Sequence, residues 1–103
     1  MELIIKGPYQ GKTLSLVRES AETKIPILSY SSGHMRYLKR LAAEHGLEMP
    51  DPISIDTIRN QENYLKIHRV DKIYIDDLDI FLTEMLGVEV ERTTICSERV
   101  KII

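Results

Sequence analysis

The chain has 103 residues, 43% of them apolar and 29% charged, with a net charge of -2. That length supports one modest core and no second one, so residues 1–103 read as a single domain, and any accessory domain must come from elsewhere. The charge balance gives no overall pull toward nucleic acid or an anionic membrane, and the single cysteine, Cys96, excludes both an intramolecular disulfide and a cysteine-rich zinc site.

The N-terminal Met1-Glu2-Leu3-Ile4-Ile5-Lys6 has too short an apolar run for a secretory signal. No stretch reaches the roughly 18 apolar residues of a membrane span. A reducing, cytoplasmic setting with no membrane partner is therefore expected. Leu3-Ile4-Ile5, stopped by Gly7-Pro8, is a continuous apolar run that predicts a strand buried on both faces, as in a parallel sheet. Beyond the glycines, Leu14, Val17 and Ala21 recur at helical spacing and predict a helix to about Thr23.

Ile25-Pro26-Ile27-Leu28-Ser29-Tyr30 is the second apolar run, and its proline predicts an edge strand. From Gly33 to His45, Met35, Leu38, Leu41 and Ala42 form one helical stripe, with Gly46 and Pro50 as stop signals. Ile53-Ser54-Ile55 predicts a very short strand, and Asp56 or Thr57 would cap a helical stretch ending before Asp71.

Lys72-Ile73-Tyr74-Ile75-Asp76-Asp77 is a third hydrophobic strand, ending in paired acids. Leu78, Phe81, Leu82 and Met85 follow at helical spacing, and Gly87 is placed to end that helix. The alternation in Val88-Glu89-Val90-Glu91 predicts a half-exposed strand, with Thr93–Cys96 or Val100–Ile103 as a further one. Alternating strands and helices imply an α/β fold in three layers, a mostly parallel sheet flanked by helices.

Two segments carry chemistry. Gly7-Pro8-Tyr9-Gln10-Gly11-Lys12-Thr13, running into Leu14, lies between the first strand and the first helix. There, small residues let backbone amides converge on phosphate oxygens, and a helix points its positive end at the same anion. Asp76-Asp77 closes an apolar strand, at the end of an open α/β sheet where ligands gather.

Together these segments resemble the P-loop NTPase superfamily, whose glycine loop reads G-x-x-x-x-G-K-[ST] and whose later apolar strand ends in aspartate. The resemblance spans nearly the whole chain. The chain departs from the pattern by one residue, because three residues separate Gly7 from Gly11 and strict spacing would put Lys6 at the first glycine position. The Gly-Pro opening is similar to that of thymidine kinases and some helicases.

What the resemblance implies is an ATP- or GTP-binding domain. Gly7 to Leu14 would form the nucleotide site, and Lys12 would reach the β- and γ-phosphates. The Thr13 hydroxyl and Asp76 would serve Mg2+, while Asp77 would stand where many members carry a glutamate that activates water. Thr93 or Thr94 would sense the γ-phosphate. Fold analogy adds a weak ATPase linked to nucleic-acid processing, with a protein partner or homo-oligomer. The rival from another class is a non-catalytic interaction module of phage or mobile-element type, which the short loop and missing glutamate favour. A nucleoside kinase fragment ranks last, for want of a lid segment.

Other residues draw plainer readings. Arg36, Lys39 and Arg40 share one face of the second helix beside Tyr37, either a nucleic-acid contact or, preferred here, a solvated face. His34, His45 and His68 have no metal-site spacing and receive no chemistry, although His45 beside Gly46 suits a helix C-terminus. Cys96 is expected to be buried packing.

Overall fold

The structure, a computed structural model, describes residues 1–7 and 10–103. In chain order the elements are β1 (Glu2–Leu3), α1 (Lys12–Thr23), β2 (Ile27–Ser29), α2 (Ser32–Glu44), β3 (Ile53–Ser54), α3 (Ile55–Asn60), α4 (Tyr64–Ile67), β4 (Tyr74–Ile75), α5 (Leu78–Leu86) and β5 (Lys101–Ile102). The chain is a small α/β domain whose strands are short and pair in parallel. They divide between two small sheets, one in the order β3-β2-β4 and the other formed by β1 and β5.

The expected edge strand at Pro26 is instead the central strand. β2 pairs with β3 through Leu28↔Ile53 and Ser29↔Ser54, and with β4 through Ile27↔Tyr74 and Leu28↔Ile75. Pro26 precedes the ladder, so its missing N–H removes no rung, and its carbonyl accepts from the Tyr74 amide at 2.9 Å. All three residues of β2 are buried. Because side chains alternate along a strand, Ile27 joins a cluster with Leu16, Val17, Leu38 and Ala42, while Leu28 joins another with Ile55 and Phe81.

The helices follow the sequence periodicity closely. α1 buries Leu16, Val17 and Ser20, a face turned slightly from the expected Leu14, Val17, Ala21 stripe. Ser20 belongs in that core because its hydroxyl donates to the Ile25 carbonyl at 2.6 Å. α2 starts on the Ser31 side chain, which accepts from the His34 amide at 3.0 Å, and it buries His34, Leu38 and Ala42. His45 forms the C-terminal boundary of α2, as expected, and Gly87 ends α5 in the left-handed conformation at φ 77°. Ser54 rather than Asp56 or Thr57 caps α3, its side chain accepting from the Asp56 amide at 3.0 Å. Asn63, at φ 58°, separates α3 from α4.

The chain ends depart further from expectation. β1 covers only Glu2–Leu3 and pairs with β5 through Glu2↔Lys101 and Leu3↔Ile102, outside the central sheet. Ile5 is 67% exposed, so the Leu3–Ile5 run is not buried on both faces. An apolar run reads identically whether or not helices cover it, and here none packs over Ile5. Val88–Glu91 and Thr93–Cys96 form no strand, leaving Lys101–Ile102 as the one tail segment that pairs. Cys96 is exposed, not packed in a core. Thr93 and Thr94 lie in the same exposed segment.

Candidate functional site

The carboxyl ends of β2 and β4 meet the start of α1, and four of the expected residues come together there. Thr13, one residue into α1, places its Oγ1 3.0 Å from Oδ2 and 3.2 Å from Oδ1 of Asp76, across 63 residues of sequence. Lys12 Nζ lies 2.7 Å from Oδ1 of Asp77. Gly11 begins the helix in the left-handed conformation at φ 73°, and the Ser15 amide donates to its carbonyl at 3.0 Å. Gly11 has no side chain with which to cap α1, and no acidic residue lies in the helix's first turn.

The Gly7 amide donates to the Gln10 side-chain oxygen at 2.6 Å, so the two ends of the short loop are tied to each other. Leu14 is half-buried in the first turn of α1. Pro8 and Tyr9, also expected to contact phosphate, lie outside the described residues.

The two acids are held differently. Asp77 carries the junction between β4 and α5 at φ 53°, ψ 70°, and makes no side-chain cap bond to that helix. Its carboxylate is engaged by Lys12. The hydrogen bond and charge of Asp77 in turn raise the Lys12 ammonium above its ordinary value of 10.5.

Asp76 is only 4% exposed. A buried carboxylate needs donors, and besides Thr13 it has Nε2 of His34 at 3.0 Å from Oδ2. Nε2 faces that carboxylate, and Nδ1 lies 3.1 Å from the Ser29 hydroxyl. Ser29 Oγ also lies 2.9 Å from the Ser31 carbonyl. Tyr30 stacks on the His34 ring, centroids 3.9 Å apart and planes inclined by 12°. Burial first, and then the negative charges of Asp77 and Asp76, raise the Tyr30 phenol above its ordinary 10.0. No buried side-chain nitrogen or oxygen among the described residues lacks a partner.

Sequence reasoning gave His34 no chemistry, yet it links β2, α2 and β4. One signal was present: His34, Leu38 and Ala42 lie at i, i+4 and i+8, so the histidine continues the buried row of α2. His45 has no such place; its Nδ1 lies 3.4 Å from Arg18. Arg36, Lys39 and Arg40 are exposed, with Lys39 3.8 Å from Asp51 and Arg40 3.7 Å from Glu44.

Among the described residues no group of three or more His, Cys, Asp or Glu side chains is arranged to hold a metal ion. None of the described helices is long and apolar enough to cross a membrane. No protein-family model, curated protein or solved structure matches the chain.

Proposed function

We propose that this domain binds a nucleoside triphosphate, ATP or GTP, together with Mg2+, on a three-layer P-loop NTPase plan. The observation that carries the reading is the meeting of Lys12 and Thr13 with Asp77 and Asp76 at one sheet end. The flanking architecture agrees with it: α1 and α2 contribute to the cluster around Ile27, while Ile55 of α3 and Phe81 of α5 pack with Leu28.

The donor set fits the cation. Mg2+ prefers hard oxygens at about 2.0–2.1 Å in octahedral geometry, which puts neighbouring ligand oxygens about 2.9 Å apart. Thr13 Oγ1 lies 3.0 Å from Oδ2 and 3.2 Å from Oδ1 of Asp76, close to that spacing for either oxygen. A hydroxyl and one carboxylate leave most of the coordination shell to water and phosphate, the usual balance for this ion, and a cluster of three acids is not required. Bound there, Mg2+ would neutralise phosphate charge.

The chain's own contribution is the anion cradle. The α1 terminus offers amide donors, and Lys12 exchanges the Asp77 carboxylate for a phosphate oxygen. Asp77 thus serves as the internal stand-in for the ligand's negative charge. Once released, Asp77 is one methylene shorter than the glutamate many members carry, which favours binding without efficient turnover. It also keeps the non-catalytic interaction module as the second reading.

Calorimetric titration with MgATP and MgGTP tests the proposal. The wild-type chain is expected to bind one of them, and Lys12→Ala to weaken binding by on the order of tenfold or more, since a charge-assisted contact is lost. Absent or equally weak binding in both proteins removes the nucleotide reading. If the wild type binds, phosphate release by it and by Asp77→Asn decides whether the site turns over.

A further inference from the structure

We infer that His34 is the positioning residue that presents the Asp76 carboxylate to the cation. This rests on the reading of the site as a magnesium-nucleotide site. The two carboxylate oxygens of Asp76 have unequal surroundings. Oδ2 receives both His34 Nε2 and Thr13 Oγ1 at 3.0 Å, whereas Oδ1 has only the longer Thr13 contact at 3.2 Å. When the Thr13 oxygen turns a lone pair toward a cation, the His34 bond still holds Oδ2 and leaves Oδ1 directed at the site.

The histidine is itself over-determined, which is what a positioning group requires. Ser29 Oγ holds Nδ1 at 3.1 Å, Tyr30 covers one ring face, and the His34 amide is fixed by the Ser31 cap. His34 and Asp76 are both buried, so their bond forms where water does not compete for it. A carboxylate held in one rotamer before the cation arrives has less freedom left to lose on binding. The ring reaches Asp76 across 42 residues of sequence, from a helix that contributes neither the loop nor the acidic strand. It therefore couples the start of α2 to the affinity of the site.

The test is calorimetry of ATP binding, or of GTP where that is the nucleotide bound, with Mg2+ and again in excess EDTA, on the wild type, His34→Gln, His34→Asn and His34→Ala. Glutamine puts an amide donor where Nε2 stands; asparagine puts its amide where Nδ1 stands and withdraws the donor from Asp76. Losing an outer partner of a metal ligand typically weakens metal affinity by about 10–100-fold. His34→Asn and His34→Ala are therefore expected to lose the Mg2+-dependent gain in affinity by that factor, with ATP affinity in EDTA unchanged within about twofold. His34→Gln is expected to keep most of the gain.

Should His34→Ala not fold, the Gln and Asn pair carries the comparison at nearly constant polarity. Equal magnesium dependence in the wild type and His34→Asn, or equal loss in Gln and Asn, overturns the positioning role while the nucleotide reading stands. Binding of neither ATP nor GTP by the wild type overturns both.

Discussion

The β3-β2-β4 sheet and the β1–β5 ladder are both parallel and both built from strands of two or three residues, yet they are held by different forces. In the central sheet each rung is backed by burial, with Ile27 packed on one cluster and Leu28 on the other. The ladder has backbone hydrogen bonds of the same length, Lys101 N to Met1 O and Ile103 N to Leu3 O at 2.9 Å. Its side chains, however, are little covered: Leu3 is half-buried, and Ile102 is 68% exposed. A hydrogen bond exchanged with water contributes little net stability, whereas covered apolar area contributes about 25 cal/mol per Å². Equal hydrogen bonding therefore does not mean equal persistence. Lys12, Thr13, His34, Asp76 and Asp77 sit at the edge of the well-buried sheet, while Gly7 is carried by the weak ladder.

The largest break in this contrast comes from Leu38, fully buried against α1 and β2. Leu38→Ala is expected to cost about 2–5 kcal/mol in denaturant unfolding, because a core methyl cluster is replaced by a cavity. If the loss is under 1 kcal/mol, the central sheet is not the stable unit described above.

Of intermediate size is an alkaline effect at the carboxyl end of that sheet. Tyr30 holds its phenol proton beyond the ordinary 10.0, where the unfolded chain would release it. Its stabilising contribution is complete below pH 10.0 and is lost as pH rises through the folded value. Ultraviolet titration should show a late component that is absent in Tyr30→Phe. Curves that differ in amplitude but not in midpoint would place Tyr30 in water.

The smallest effect is expected in the ladder. Ile102→Ala should change unfolding free energy by less than about 0.5 kcal/mol, as for exposed positions generally. A loss comparable with that of Leu38→Ala would mean that something covers the ladder in solution and would erase the contrast.

The sequence was legible where local chemistry decides. The glycines at 46 and 87 and the apolar spacing around Leu38 and Phe81 locate α2 and α5 nearly to the residue, since capping and period depend on neighbours within one turn. The order of strands was not legible. Pro26 suggests an edge to any local reading, and only the register of the ladder reveals that its ring stands before the first rung. The same limit governs the site. Lys12, Thr13, Asp76 and Asp77 stand out because each follows a recognisable strand or turn, whereas a single histidine has no motif around it. Its partners, Ser29 and Asp76, become neighbours only once β2, α2 and β4 are packed.

The left-handed backbone at Asp77 has a consequence for what can occupy that position. At φ 53° a side chain with a β-carbon is crowded by its own carbonyl, and only glycine, asparagine and aspartate visit this conformation routinely. Lengthening the acid to glutamate therefore carries a conformational penalty of about 1 kcal/mol before any chemistry is considered. Replacement by asparagine keeps the bend and erases only the anion. The corner between β4 and α5 thus acts as a filter on acid length, admitting the short carboxylate that holds Lys12 and disfavouring the longer one that reaches for water.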